Sequence, residues 1–168
     1  MSTDVILQFQ YTEAEYVAAV HSYYNRAFHI GTYLIALGVV FLAGLYLWFA
    51  TGEPVIFFGV SIFLLIVATP LVFYFVTPRT TFRRESRLHD TYWLRFDDEG
   101  ITFKTEHVNS NLDWALYQQV WENKRFFFLI YGKQMYTVIP RRVFENAAQE
   151  TQFRELLKRK VTSQIIEF

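Results

Sequence analysis

Between residues 28 and 77 the chain is apolar almost without relief, and the main interruption is Thr51-Gly52-Glu53-Pro54. Gly31 to Ala50 runs for 20 residues and Val55 to Thr77 for 23 with no charged side chain. At about 1.5 Å per helical residue, each covers a hydrocarbon core of roughly 30 Å. Core helices of a soluble bundle would carry a polar face at the 3.6-residue period, and neither segment has one. The pattern predicts two membrane-spanning helices, 31–50 and 55–77, folded as a hairpin. Tyr33, Tyr46, Trp48 and Tyr74 lie toward the segment ends, where amphipathic rings suit the bilayer interface. Glu53 then falls in the turn, in headgroups or water, where a charge costs little. Pro54 opens the second helix well because a first-turn proline forfeits no intrahelical bond. Pro70 frees the carbonyl of Ile66 and predicts a kink, tolerable where a neighbouring helix or Thr69 satisfies the loose group.

Outside the hairpin the periods are shorter. Val5 to Tyr11 reads as a strand, and Thr12-Glu-Ala-Glu15 has the spacing of a capping box. Tyr16, Val17, Val20, Tyr23 and Tyr24 recur at helical spacing up to about Asn25. With Glu13, Glu15 and His21 on its polar side, this helix is expected to pack on protein rather than lie on a membrane. After residue 87 alternation predicts strands at 88–96 and 101–107 around an Asp97-Asp98-Glu99-Gly100 turn. A second turn is expected at Asn109-Ser-Asn111, then strands at 112–114, 118–122, 126–131 and 135–139. Pro140 ends the sheet. Residues 146–161 form a helix with Phe153, Leu156, Leu157 and Val161 on one face. The strand count, with the N-terminal strand added to cover an edge, predicts an α+β membrane protein. Its transmembrane hairpin is inserted in a pleckstrin-homology-like sheet or barrel of about seven antiparallel strands capped by a C-terminal helix. The regions are 1–27, the hairpin 28–78, a basic linker 79–87 and the C-terminal domain 88–162.

Charge adds an orientation. Arg26 precedes the hairpin, Arg79, Arg83, Arg84 and Arg87 follow it, and the connecting turn has neither Lys nor Arg, so both termini are expected in the cytoplasm. No basic n-region or A-x-A site precedes the first span, which reads as a retained anchor. Zero cysteines agree with that side without proving it. Neither span holds an Asp, Glu, Lys, Arg or His, which speaks against a lone transporter or channel. Small residues such as Gly38, Gly44 and Gly59 permit close packing, yet no GxxxG supports dimerisation, and a homo-oligomer stays open.

Composition at 52% hydrophobic and 19% charged leaves few residues for chemistry. His21, His29, His89 and His107 show no metal-site spacing; His89 could pair with Asp90, though a solvated strand start accounts for it. The Asp97 to Glu99 cluster is the dressing of a hairpin turn, since the rest of a calcium loop is missing. No phosphate loop, nucleophile elbow or thiol nucleophile is present, so no catalytic residue, cofactor or metal is expected. Residues 88–168 hold eleven basic and eleven acidic side chains, so nothing marks nucleic acid as a partner.

The run Leu112 to Tyr131 and the run Tyr136-Thr-Val-Ile-Pro-Arg-Arg-Val-Phe144 carry a family resemblance. Trp114, Val120, Glu122, Phe128, Ile139, Pro140, Arg141 and Phe144 match a pattern of aromatic, Val-x-Glu strand, aromatic strand and Ile-Pro-basic-x-Phe. In these residues and in element order the chain resembles the bacterial YcxB-like proteins. The resemblance implies a bacterial inner-membrane location, the fold and the topology, and it brings no catalytic residues.

Three functions fit. A membrane-tethered, non-catalytic binding or adaptor module would anchor another protein through exposed aromatics among Tyr92, Trp93, Trp114, Trp121 and Tyr131, with Arg141 and Arg142 attracting acidic groups. A lipid-binding surface protein would use Arg79, Arg83, Arg84 and Arg87, each contributing on the order of 1 kcal/mol near an anionic leaflet. The same arginines serve equally as a positive-inside signal alone. An accessory subunit or immunity factor of a membrane complex is the third. Fold analogy favours the first.

Overall fold

The computed structural model describes residues 4–161 and 165–168. The chain divides into two units, one made of residues up to Glu15 together with Glu85–Phe168, the other of Tyr16–Arg84.

Helix α1 (Glu13–Phe28), which belongs to the second unit from Tyr16 on, enters from its capping box. Thr12 N donates to Glu15 Oε2 at 3.1 Å, and Glu15 N donates to Thr12 Oγ1 at 3.2 Å, which satisfies two otherwise orphaned donors. His29, with φ 50°, breaks the helix before α2 (Ile30–Thr51) begins. α2 ends on Gly52 at φ 68°, whose N–H donates to Trp48 O at 2.8 Å; glycine takes this left-handed position without a Cβ clash. α3 (Pro54–Arg84) starts one residue on from Glu53, as the turn chemistry predicts. A Cβ built on Gly44 would lie 2.8 Å from Val60 Cγ2, so glycine lets α3 pack closely on α2 at this point.

Two sequence expectations change in α3. The helix does not stop at Thr77 but continues through Pro78 to Arg84, so residues 79–84 of the basic stretch are helical. Pro78 has no N–H to give to the carbonyl of Tyr74, four residues back. His21 Nε2 takes up that carbonyl at 3.0 Å, and the two rings stack with centroids 4.2 Å apart. Because a carbonyl only accepts, the His21 tautomer carries its proton on Nε2. The aromatic face of α1 thus meets α3, with Tyr16 against Phe82 at 5.6 Å. At Pro70, Thr69 Oγ1 donates to Leu65 O rather than to the Ile66 carbonyl that proline frees.

The first unit holds two four-stranded sheets, ordered β1-β2-β3-β4 and β7-β6-β5-β8. The first comprises β1 (Val5–Phe9), β2 (Tyr92–Phe96), β3 (Ile101–Lys104) and β4 (Asn109–Leu112), all antiparallel. β1 joins β2 with Leu7 opposite Leu94, so the N-terminal strand does cover an edge of this sheet. The second comprises β5 (Gln119–Glu122), β6 (Phe126–Gly132), β7 (Met135–Pro140) and β8 (Ile165–Glu167). Helix α4 (Ala147–Lys160) is capped by Asn146, whose side chain accepts from Gln149 N at 2.9 Å.

The core lies between the sheets and α4. Phe96, Phe127 and Phe144 surround Phe153 at centroid distances of 4.9, 5.4 and 5.3 Å. Leu7, Leu94, Val120, Leu156 and Leu157 complete it.

Asn109-Ser110-Asn111 is strand, not turn. The reversal comes earlier, where Thr105 N donates to Val108 O at 2.8 Å and Thr105 Oγ1 accepts from Val108 N. β4 is the outer strand of its sheet, so small polar residues suffice there, and propensity misreads them. The brief strand expected at 112–114 is replaced by a 3-10 turn, Trp114–Leu116, capped by Asp113. Ser86–His89 forms another such turn where the start of a strand was expected. β8 is an eighth strand, and it pairs with β5 in parallel.

Candidate functional site

The Ile139-Pro140-Arg141-Arg142 motif ends β7 and sends its two arginines to different partners. Alternation on β5 turns Val120 and Glu122 inward, and Glu122 is 5% exposed. Arg154 from α4 reaches Glu122 Oε2 through Nη2 at 3.1 Å and Nε at 3.2 Å, while Arg141 Nη2 approaches at 3.5 Å. Glu150 Oε1 lies 2.9 Å from both guanidinium groups. Both cations also sit over the Phe127 ring, at 5.0 and 5.4 Å from its centroid. Two buried-edge carboxylates and two arginines thus neutralise one another and tie β5, β7 and α4 together.

Arg142 forks onto the N-terminal segment, donating to Gln10 O at 2.8 Å and to both oxygens of Glu15. Its guanidinium holds the Glu15 carboxyl below the usual carboxylate range. The two arginines expected to draw an acidic partner are therefore committed internally, to fixing β1 and α4 on the sheets.

The aromatic candidates separate similarly. Trp114 is 5% exposed and its Nε1 donates to Asp97 O at 2.9 Å, which leaves it no surface to present; it is a core residue. Trp93 is half-buried opposite Lys104 and, with Thr91, Thr105 and Glu106, lines an open depression of about 370 Å³. Trp121 is half-buried, with its ring edge-on to Phe168 at 6.2 Å. Arg79, Arg83 and Arg84 are exposed along the last turns of α3, and exposed Arg87 lies 3.8 Å from Glu85. Within the two-sheet unit, Trp93 and Trp121 lie on different sheets.

A second depression, of about 450 Å³, is lined by Glu122, Asn123, Lys124, Arg154, Glu167 and Phe168, with Arg141 beside them. Sequence reasoning missed it because β8 is only three residues long. The inward position of Glu122 was the available signal, since a carboxylate between buried Val120 and the aromatic β6 needs a cation.

Near the Trp93 depression, Asp90 pairs with His107 rather than with His89. The β3–β4 turn carries His107 Nδ1 to 2.8 Å from Asp90 Oδ2, and Asp90 is buried. The His107 proton on Asp90 lowers the Asp90 pKa from 3.8, and Asp90 raises that of His107 from 6.5. The His107 contribution to stability is complete below pH 6.5 and is lost as pH rises through the raised value. The Asp90 contribution is complete above pH 3.8 and is lost as pH falls through the lowered value. The stability advantage of the native chain over H107Q is therefore expected to be larger at about pH 5.5 than at about pH 8.5. Urea midpoints that differ equally at both values would contradict this.

Among the described residues no group of three or more His, Cys, Asp or Glu could hold a metal ion. The molecule is thus an α+β chain with two long apolar helices and a two-sheet unit whose charged motif is structural. Residues 96–157, from the end of β2 into α4, match the family model described as YcxB-like protein, the family the motifs resemble. No curated protein and no solved structure matches the chain.

Proposed function

We propose that the chain is a membrane-anchored, non-catalytic binding module. In this reading α2 and α3 span the bacterial inner membrane as a hairpin with both termini in the cytoplasm, and the two-sheet unit recruits another protein. The observation that carries it is exposure. Ile35, Tyr46, Phe49, Val55 and Leu65 are 71–78% exposed on α2 and α3, while the sheets bury Phe126, Phe127 and Phe128 almost entirely. Apolar surface on that scale is stable in lipid and not in water. The order β1-β2-β3-β4 and β7-β6-β5, followed by α4, supports a pleckstrin-homology-like reading of the other unit, a fold used mostly for binding.

The cysteine-free chain makes topology directly testable. E53C is expected to react with a membrane-impermeant maleimide on intact cells, and E106C only after permeabilisation. The reverse pattern, or extraction of the protein by carbonate, would remove the proposed topology. Lysine cross-linking in native membranes then tests recruitment, with a stoichiometric protein linked through Lys104, Lys124 or Lys133 as the expected result.

A second reading has its own support. The continuation of α3 to Arg84 sets Arg79 and Arg83 one turn apart, on one helix face, where both could meet anionic headgroups. Vesicle flotation of the R79Q/R83Q protein that matches wild type at every lipid charge would exclude it.

A further inference from the structure

β8 is unlike the other strands. It has three residues where strands usually have five or six, it pairs in parallel, and its Ile165 and Ile166 are only half-buried. It lies on the outer edge of β5, setting Ile165 beside Val120, Ile166 beside Trp121 and Glu167 beside Glu122. Phe168 N donates to Glu122 O at 3.0 Å, and the Phe168 ring reaches Phe128 at 6.0 Å and Trp121 at 6.2 Å. The edge thus offers a backbone ladder, an inward apolar position and an outward aromatic one, the means by which extended peptides are recognised on sheet edges.

One register position works against this occupant. Glu167 is set beside Glu122, and like charges on neighbouring strands repel. The two cations on Glu122 are already shared with Glu150, so no further one is provided for Glu167 in that network. With Ile165–Phe168 displaced, Lys124, Arg141 and Arg154 stay at the edge with Glu122 and Glu150, three positive charges against two negative ones. A strand with a neutral or basic residue at this position fits the edge better than the chain's own.

We propose that the outer edge of β5 is a strand-accepting groove for an extended segment of another protein, with the pattern aliphatic, aliphatic, non-acidic, aromatic, and that Ile165–Phe168 holds it closed. This rests on the reading of the two-sheet unit as a binding module and names its site, its partner chemistry and its regulation. The occupant is defined by the tail that now fills the edge, since Ile165, Ile166 and Phe168 report which side chains fit.

The test titrates the full-length protein in detergent with a fluorescein-labelled synthetic peptide of the 161–168 sequence carrying E167K. The I165D/F168D protein, with its tail driven off the apolar positions, is expected to bind the peptide at least about tenfold more tightly than wild type, because its groove is open. Equal affinity for both proteins, or no binding to a variant with a native near-ultraviolet spectrum, overturns the proposal. Should that variant not fold, amide exchange in the full-length E167K protein decides. Slower exchange at residues 165–168 than in wild type supports a charge-weakened closure, and unchanged or faster exchange overturns it. The cross-linking experiment keeps the two readings apart. A partner captured through Lys104 with no peptide binding sinks the β5 groove alone, whereas no partner at any lysine sinks the module itself.

Discussion

Replacing Phe153 by alanine is expected to destabilise the two-sheet unit by about 3–5 kcal/mol, a large part of what a domain of this size has to lose. The side chain is fully buried, and three other phenylalanine rings pack on it from both sheets and from the segment before α4. Each belongs to a different element: Phe96 to β2, Phe127 to β6, Phe144 to the turn before α4. These rings cannot all move inward at once, so the cavity stays open and the full packing loss is felt. F153L, which keeps much of the volume, is expected to cost less than half as much. At roughly 4 °C or more per kcal/mol, F153A should lower the thermal midpoint by more than about 10 °C, read by near-ultraviolet circular dichroism in detergent. F49A is the control, since Phe49 is 78% exposed on α2 and belongs to the other unit. If F49A lowers the same transition as far as F153A does, the placement of the core is wrong.

The parts of this architecture that were legible are those in which one strong local signal decides. Glu53 and Pro54 marked the hairpin turn because charge and proline are both costly inside a span. Thr12 and Glu15 marked the start of α1, and Phe153, Leu156 and Leu157 marked the buried face of α4, because capping and the 3.6-residue period are local. The errors came where a distant partner overrides local preference. Asn109 to Asn111 look like a turn, yet β3 recruits them as an outer strand. The second span reads as ending at Thr77, yet the helix runs on through Pro78, where His21, 53 residues before Tyr74, supplies the hydrogen bond that keeps the Tyr74 carbonyl satisfied. Trp114, Arg141 and Arg142 looked available to a partner for the same reason. Their acceptors, Asp97, Glu122, Glu150 and Glu15, are assembled by the sheets, the start of α1 and α4, and no spacing in the chain announces them. The half-buried pair that remains, Trp93 and Trp121, is legible as aromatic but not as partly surface until the strand registers are known.

Removal of the Glu122 carboxylate tests the arrangement that ties these elements together. E122A is expected to cost about 3–5 kcal/mol, because two arginines stay at the sheet edge with Glu150 as the remaining carboxylate of the network. Most of that loss is the penalty of stranding partly buried cations and not the strength of any single contact. Urea midpoints by tryptophan fluorescence separate the two. If stranded charge dominates, E122L/R154M will be more stable than E122L alone, since the second change removes one of the cations left behind. A cycle built from E122L, R154M and the double variant should then give a coupling of about 0.5–3 kcal/mol. Additive losses would mean that Glu150 alone holds both guanidinium groups and that Glu122 is buried without contributing to them. The same cycle bears on the tail, because Glu122 also lends its carbonyl to Phe168 N. A side-chain substitution leaves that carbonyl in place, so E122L should relieve the repulsion of Glu167 and slow amide exchange in β8 even as it weakens the unit as a whole. Opposite signs for global stability and local protection are what a network that fixes α4 while loosening β8 must produce.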